Sequence, residues 1–224
     1  MEFSEVVARR RMVRHFSDEP VQRAVLERIA AAAQRAPSAG FSQGQRLVVV
    51  TEPELRRRVA AAVGEEGYTE AGFDPWVSKC AALFVPCVSE AIYHARYREP
   101  DKAPDGVEIE WPTPYWWVDA GMTAMLILLA AVDEGLAAGF VGPPDPDALR
   151  GALAIPAEFH PIGVISVGRP LPDKRSPSLR RGWRPLDEFV RWETWEPVEE
   201  SGHERPLPMR SGRDPGQYAE SEAD

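Results

Sequence analysis

The stretch Arg10-Arg11-Met12-Val13-Arg14-His15-Phe16 places three arginines within five positions near the start of the chain. The chain as a whole is acidic, with a formal net charge of -9 at pH 7. Guanidinium groups offer planar forks of donors, which phosphate oxygens accept bidentately. The stretch therefore indicates an anion-binding segment, with a solvated basic face on the first helix as the alternative.

Composition bounds the class of protein. A length of 224 residues fits one compact domain, and 44% hydrophobic with 27% charged residues is typical of globular proteins. The pI near 5.1 argues against general binding of nucleic acid or anionic membranes. The apolar run at residues 120–132 is too short to span a bilayer, so it predicts a buried core helix. Residues 1–20 contain no apolar run, which predicts no signal peptide.

Hydrophobic periodicity predicts the elements of the fold. Asp18 is expected to cap the second helix and Gly139 to end the central one. Residues 93–114, rich in Pro, Tyr and Trp, are expected to form a lid. Helices are predicted at residues 3–11, 18–35, 54–63, 119–138 and 147–153, and strands at 47–50 (buried on both faces), 81–88 and 162–167.

The last 29 residues differ from the rest. Residues 196–224 contain eight acidic and three basic side chains and few residues that build a core. We therefore expect a domain over 1–195 and a tail that is disordered or wraps as an arm. Cys80 and Cys87 fit no zinc or redox motif, which favours a reducing, cytoplasmic setting. The four histidines are scattered without the spacing of a metal site.

Two further segments give the arginine stretch its meaning. One is Ala36-Pro37-Ser38-Ala39-Gly40-Phe41-Ser42-Gln43, and the other is Gly139-Phe140-Val141-Gly142. Taken alone, the first is a loop that ends a helix, and the second is a helix cap with a turn. In this order, the three segments resemble the FMN-binding segments of the nitroreductase family.

The resemblance implies an α+β fold with a central, mostly antiparallel sheet flanked by helices. It also implies an intertwined homodimer with two FMN sites at its interface. NAD(P)H and a small aromatic acceptor would use each site in turn, by ping-pong hydride transfer through flavin N5. On this basis no acid or base side chain is needed to begin the reaction, because the flavin carries the chemistry. No metal, nucleic acid or membrane partner is expected.

The resemblance also implies roles for individual residues. The arginine stretch would bind the phosphate, helped by Arg181 or Arg184, and residues 37–39 would lie against the flavin ring of the other subunit. A backbone N–H near Gly142 would face N5. The implied cofactor residues are Arg10, Arg11, Met12, Arg14, Pro37, Ser38, Ala39, Gln43, Val141, Gly142, Arg181 and Arg184, and the implied substrate residues are Phe41, Tyr93, Tyr97 and Trp116.

The chain departs from the family pattern at five positions. Met12, Phe41, Gln45, Pro143 and Trp183 stand where relatives carry other residues, and Pro143 has no N–H to donate. These departures leave two alternatives open. One is another flavin enzyme of the same fold, such as a dehalogenase, a ring dehydrogenase or a flavin-fragmenting enzyme. The other is a non-catalytic flavin-binding protein. The Trp cluster near residue 111 would either stack on an acceptor or pack the lid onto the core.

Overall fold

A computed structural model describes residues 1–174 and 176–195. The chain divides into two compact units, Met1–Lys174 and Arg175–Asp224. The first unit contains a five-stranded sheet in which every pair of neighbouring strands is antiparallel. The expected α+β fold with a mostly antiparallel sheet is therefore confirmed. The predicted acidic tail, residues 196–224, lies outside the described residues.

The elements follow one another in a fixed order along the first unit. The helices are α1 (Phe3–Arg9), α2 (Arg23–Gln34), α3 (Pro53–Ala62), α4 (Glu65–Glu70), α5 (Glu90–Tyr97), α6 (Tyr115–Asp133) and α7 (Pro146–Ala152). The strands are β1 (Gln45–Val50), β2 (Ala82–Val88), β3 (Ala137–Val141), β4 (His160–Pro161) and β5 (Val164–Gly168). The sheet order is β1-β2-β5-β3, and β4 pairs with β2. The second unit contributes α8 (Leu186–Phe189) and a 3-10 turn at Pro177–Arg181.

The core consists of two layers of side chains, one on each face of the sheet. One layer joins α2 and α6 to the sheet through residues such as Ile29, Phe84 and Ile127. The other joins α3 and α7 to the opposite face, with Leu83 and Leu149 among its buried members. All seven residues of β2 are buried, as expected of a strand covered on both sides. Burial of this apolar surface is the main driving force for the fold.

The central helix ends earlier than the sequence predicts. It stops at Asp133, and the left-handed residue after its end is Gly135 (φ 73°), where the Leu136 N–H donates to the Ala131 carbonyl. The prediction of Gly139 as the helix end was wrong. Residues 137–141 instead form β3, a strand that small residues of weak β propensity concealed.

Other predictions also need correction. α1 ends at Arg9, two residues before the predicted end, and buries only Val6. Asp18 is not a cap, because the Ser17 N–H donates to the Arg169 carbonyl and keeps this segment extended until α2 begins at Arg23. β1 lies at the edge of the sheet order and buries only its last residue, so it is not covered on both faces.

The expected lid is in part a helix. α5 extends to Tyr97, and the chain from 98 to 114 folds back over it. α6 is also the one helix of the described residues whose length and apolar composition would suit a membrane span. Half of that span is buried inside the unit, as is typical of a core helix.

Candidate functional site

The arginine stretch leaves α1 as an extended segment beside β3. Met12 forms a parallel bridge with Ala138, and the Val13 N–H donates to the Ala138 carbonyl at 3.0 Å. The segment lies so close to β3 that a Cβ atom on Gly139 would be 2.2 Å from the Val13 carbonyl oxygen. Only glycine fits there, so this residue sets the position of the arginines.

The three arginines have different surroundings. Arg11 lies 3.6 Å from a carboxylate oxygen of Asp173, whose side chain is almost fully buried. The positive charge of Arg11 is therefore already compensated. Arg14 lies over the rings of Phe73 and Trp76, with its guanidinium carbon 5.7 Å from each centroid. Within residues 1–174 and 176–195, neither Arg10 nor Arg14 forms an ion pair. These two are the guanidinium groups available to an anion.

The second predicted segment is a strained loop. Gly40, Phe41 and Gln43 all have positive φ (60°, 55° and 51°), although two of them are not glycine. Residues in this region cost about 1–3 kcal/mol each and tend to occur at ligand sites. Hydrogen bonds compensate for the strain, since the Gln43 N–H donates to Ser38 Oγ at 2.9 Å and the Ser42 hydroxyl to the Ala39 carbonyl at 2.6 Å.

Two departures from the family pattern have visible consequences in this loop. The Gln45 side chain donates to the Pro37 carbonyl at 3.1 Å, so it closes the loop. Phe41 projects from the loop with 73% of its surface exposed. An exposed aromatic ring on a strained backbone is suited to stacking against a flat ligand.

The third predicted segment lies at the end of β3. Val141 is the last residue of that strand and is buried, whereas Gly142 is exposed. Nothing lies within 4 Å of the position that a Cβ on Gly142 would occupy. A ligand can therefore approach this backbone closely.

Within a single chain, the loop lies apart from the other two segments. The arginine segment adjoins β3, at one end of the sheet order, and the loop adjoins β1, at the other. Four strand spacings of about 4.8 Å separate the arginine segment from β1 by roughly 19 Å across the sheet. A cavity of about 200 Å³ beside Arg11 is lined by residues of α1, α6 and β3 and by none of the loop.

A family model described as the nitroreductase family matches residues 7–169. The chain belongs to the nitroreductase family. Its described fold is thus that of a family of oxidoreductases.

Relatives within the nitroreductase family have diverse names. A 5,6-dimethylbenzimidazole synthase from Rhodobacter capsulatus is 29% identical over 81% of this chain and 90% of its own length. An iodotyrosine deiodinase from Nematostella vectensis is 28% identical over 84% and 74%. An FMN reductase (NADPH) from Bacillus subtilis is 23% identical over 74% and 65%.

A solved structure supports the nitroreductase fold independently. A nitroreductase family protein from Streptococcus pneumoniae has a TM-score of 0.68 at 23% identity, with 85% of this chain and 99% of that chain covered. At this identity the likeness shows the shared fold alone.

Three of the four predicted substrate residues, Tyr93, Tyr97 and Trp116, lie in one aromatic cluster of the nitroreductase unit, and Phe41 is not part of it. Tyr93 is fully buried and Trp116 nearly so, and both pack around Trp111. Tyr97 is half-buried, with its ring centroid 4.5 Å from that of Trp111. The Trp cluster therefore packs the 98–114 segment onto the core, and of the four predicted residues Phe41 and Tyr97 present surface.

Glu108 fastens this segment to α5. Its carboxylate accepts from Trp111 Nε1 at 2.9 Å and from Arg98 Nε at 2.8 Å, and it also pairs with His94. The hydrogen bond with Glu108 raises the pKa of His94, and the same bond lowers the pKa of Glu108. The segment is thus tied by charge as well as by aromatic contacts.

Arg181 and Arg184 belong to the second unit. Arg181 ends the 3-10 turn, and Arg184 lies 3.6 Å from Glu188. Trp183, between them, is 91% exposed. The approach of these two arginines to the phosphate of FMN stays a prediction, because the arginine segment belongs to the first unit.

Sequence reasoning missed two buried carboxylates. Asp173 accepts the Arg14 N–H at 2.8 Å, and Asp119 accepts the Ala39 N–H at 2.9 Å. Each therefore holds one of the predicted binding segments. A lone aspartate at the start of an apolar helix was the available signal for Asp119, because a buried charge in such a place needs partners.

The described residues contain neither a reactive thiol nor a cluster of metal-ligating side chains. Burial raises the pKa of both Cys80 and Cys87 to about 12, so neither thiol is a nucleophile near neutral pH. Among the described residues, no group of three His, Cys, Asp or Glu side chains is arranged to hold a metal ion.

Proposed function

We propose that the protein is an FMN-dependent oxidoreductase that transfers hydride from NAD(P)H to a small aromatic acceptor, nitro- or quinone-like, by a ping-pong sequence. The main support for the proposal comes from the surroundings of two side chains, Arg10 and Arg14. Neither forms an ion pair with a described residue, although the chain has 35 acidic and 26 basic residues. Guanidinium groups left without carboxylates on a half-buried segment fit a phosphate.

The other two predicted segments also fit a flavin. The open backbone at Gly142 permits close approach of a ring, and the Gln43 side chain forms no hydrogen bond within the described residues. The strained loop offers Pro37, Ser38 and the exposed ring of Phe41. When bound, FMN would supply hydride transfer at N5. The chain itself would bind the phosphate, orient the ring and exclude water.

A homodimer would bring the two halves of the site together, because in one chain they adjoin opposite ends of the sheet order. α6 offers a surface for it. Val118, Met122 and Met125 are 41%, 42% and 47% exposed at helical spacing, and exposed Phe3 and Val7 of α1 extend this apolar surface. Exposed apolar patches of this kind mark protein interfaces. We propose that a second copy covers it, so that residues 37–39 of one chain face the arginines of the other.

The proposal includes a cytoplasmic setting, with reduced thiols at Cys80 and Cys87, which are free and buried.

A reductive dehalogenase is the second candidate. The Lys102 ammonium lies 5.5 Å from the centroid of Tyr97, next to Arg96, which pairs with Glu99. A cation beside a phenol ring would suit an ionised phenolic substrate. The similar deiodinase from Nematostella vectensis adds support.

The experiment is steady-state kinetics with FMN-loaded protein. NADPH and NADH are each paired with a nitroaromatic, a quinone and a halogenated tyrosine. Parallel double-reciprocal lines with the first two acceptors would support the proposal. Halide release from the third alone would transfer the assignment to the dehalogenase. If neither NADPH nor NADH is oxidised with any of the three acceptors, both candidate functions are refuted.

A further inference from the structure

The strained loop is held from behind by a buried carboxylate on the central helix. Asp119 is 4% exposed, and its Oδ2 accepts two hydrogen bonds. The Ala39 N–H donates at 2.9 Å and the Tyr93 hydroxyl at 2.8 Å. One oxygen therefore connects three elements, namely the loop, α5 and α6. Burial, followed by the hydrogen bond with Asp119, raises the pKa of Tyr93, so the phenol keeps its proton and donates it.

α5 holds the same loop at a second point. Arg96 Nε donates to the Gly40 carbonyl at 3.0 Å, while the rest of that guanidinium pairs with Asp101. The Tyr97 ring lies so close that a Cβ on Gly40 would be 2.6 Å from it. Farther along, a Cβ on Gly44 would be 2.4 Å from the Tyr93 ring. The loop and α5 are thus packed without space between them.

These contacts offset the strain of the loop. Two non-glycine residues with positive φ cost about 1–3 kcal/mol each, and such a conformation persists only where the surroundings determine it. Removing Asp119 would leave the Ala39 N–H and the Tyr93 hydroxyl without their shared acceptor.

We infer that Asp119 is a positioning residue, which holds the Pro37–Gln43 loop in its flavin-binding conformation and couples that loop to α5 through Tyr93. The inference rests on the proposed function. It also makes α5 a fixed support for the loop, in place of the lid that the sequence suggested. Whatever contacts Tyr97 or the 98–114 segment acts on the loop through this connection.

The test uses full-length Asp119→Ala, Asp119→Asn and Tyr93→Phe, freed of flavin and titrated with FMN. Amide hydrogen exchange at residues 38–43 is the second readout. Tyr68→Phe is the matched control, because the Tyr68 ring packs in the core layer of α3 and α7, not against the loop, and its hydroxyl has no hydrogen-bond partner among the described residues.

Asp119→Ala is expected to weaken FMN binding at least tenfold and to speed exchange at Ala39, whose N–H has lost its acceptor. Tyr93→Phe, which keeps the Ala39 hydrogen bond, should weaken binding about threefold. Asp119→Asn should bind FMN nearly as the wild type does, since its amide oxygen can replace Oδ2 toward both donors. This rescue separates positioning from a role of the negative charge.

Wild-type affinity in Tyr93→Phe together with unchanged exchange at residues 38–43 would overturn the inference, even if Asp119→Ala does not fold. Equal losses in Asp119→Asn and Asp119→Ala would also overturn it, because charge and not geometry would then matter. Failure of the proposed function looks different. In that case the wild-type protein and Tyr68→Phe would themselves bind no FMN.

Discussion

Gly139→Ala gives the sharpest test of how the arginine segment is placed. The new methyl carbon would lie 2.2 Å from the Val13 carbonyl oxygen and 3.1 Å from the Trp76 ring. The nearest atom belongs to the backbone and cannot rotate away, so the segment from Arg10 to Arg14 must move. That movement also strains the hydrogen bond from the Val13 N–H to the Ala138 carbonyl.

The expected cost follows from these two contacts. Overpacking a filled site costs about 1–3 kcal/mol, and a lost hydrogen bond costs about 1 kcal/mol. The lower entropy of the unfolded chain with alanine offsets less than about 1 kcal/mol. A net loss of about 2–3 kcal/mol would lower the Tm of a domain of this size by about 4–12 °C.

The assay is thermal and urea unfolding of the flavin-free protein, followed by titration with FMN. Gly151→Ala in α7 is the control, because nothing lies within 4 Å of its Cβ position and its φ is not positive. The control should be as stable as the wild type or more stable by up to about 1 kcal/mol. A Gly139→Ala protein within 0.5 kcal/mol of the wild type, on the scale of ordinary surface substitutions, would refute the close approach.

Three further outcomes are expected. Arg10→Ala should weaken FMN binding by about 10–100-fold, which corresponds to the loss of a hydrogen bond to a charged group. The control is Arg57→Ala, which removes an exposed side chain of α3 and should leave FMN binding unchanged in the same titration. The Glu108 hydrogen bond raises the pKa of His94 above 6.5, so the stabilisation from this pair is complete below pH 6.5 and is lost as pH rises through the raised pKa. The Tm difference between wild type and His94→Gln should therefore shrink as the pH rises. A Tm difference that stays constant with pH would contradict this. Met125→Glu should halve the mass in sedimentation; an intact dimer would exclude α6 as the interface.

The sequence predicts most of the elements of the core because their periodicity is set by burial. The apolar residues of α2 and β2 repeat at the spacing that their buried faces require. β2 and the end of α2 lie within one residue of the predicted limits, whereas α2 begins five residues later than predicted. The family segments were also recognisable, since glycine, proline and arginine at fixed spacing each have a specific conformational or chemical use.

What the sequence could not predict depends on contacts between distant residues. β3 pairs with β5 along all five of its residues, and the absence of a side chain at Gly139 lets the Val13 segment pack against it; local propensity carries no trace of either neighbour. Asp18 looked like a helix cap, but Ser17 is paired with Arg169, which is 152 positions away. The roles of Asp119 and Asp173 are likewise long-range, because each accepts a backbone N–H from a segment far along the chain.

The central claim is that this nitroreductase family member binds FMN and accepts electrons from a nicotinamide. Its most direct test is the visible spectrum of the FMN-reconstituted protein, recorded before and after anaerobic addition of NADPH and, separately, NADH. We expect a protein-bound flavin spectrum that bleaches with at least one donor. A protein that stays colourless after incubation with FMN, or a bound flavin that neither donor bleaches, would contradict it.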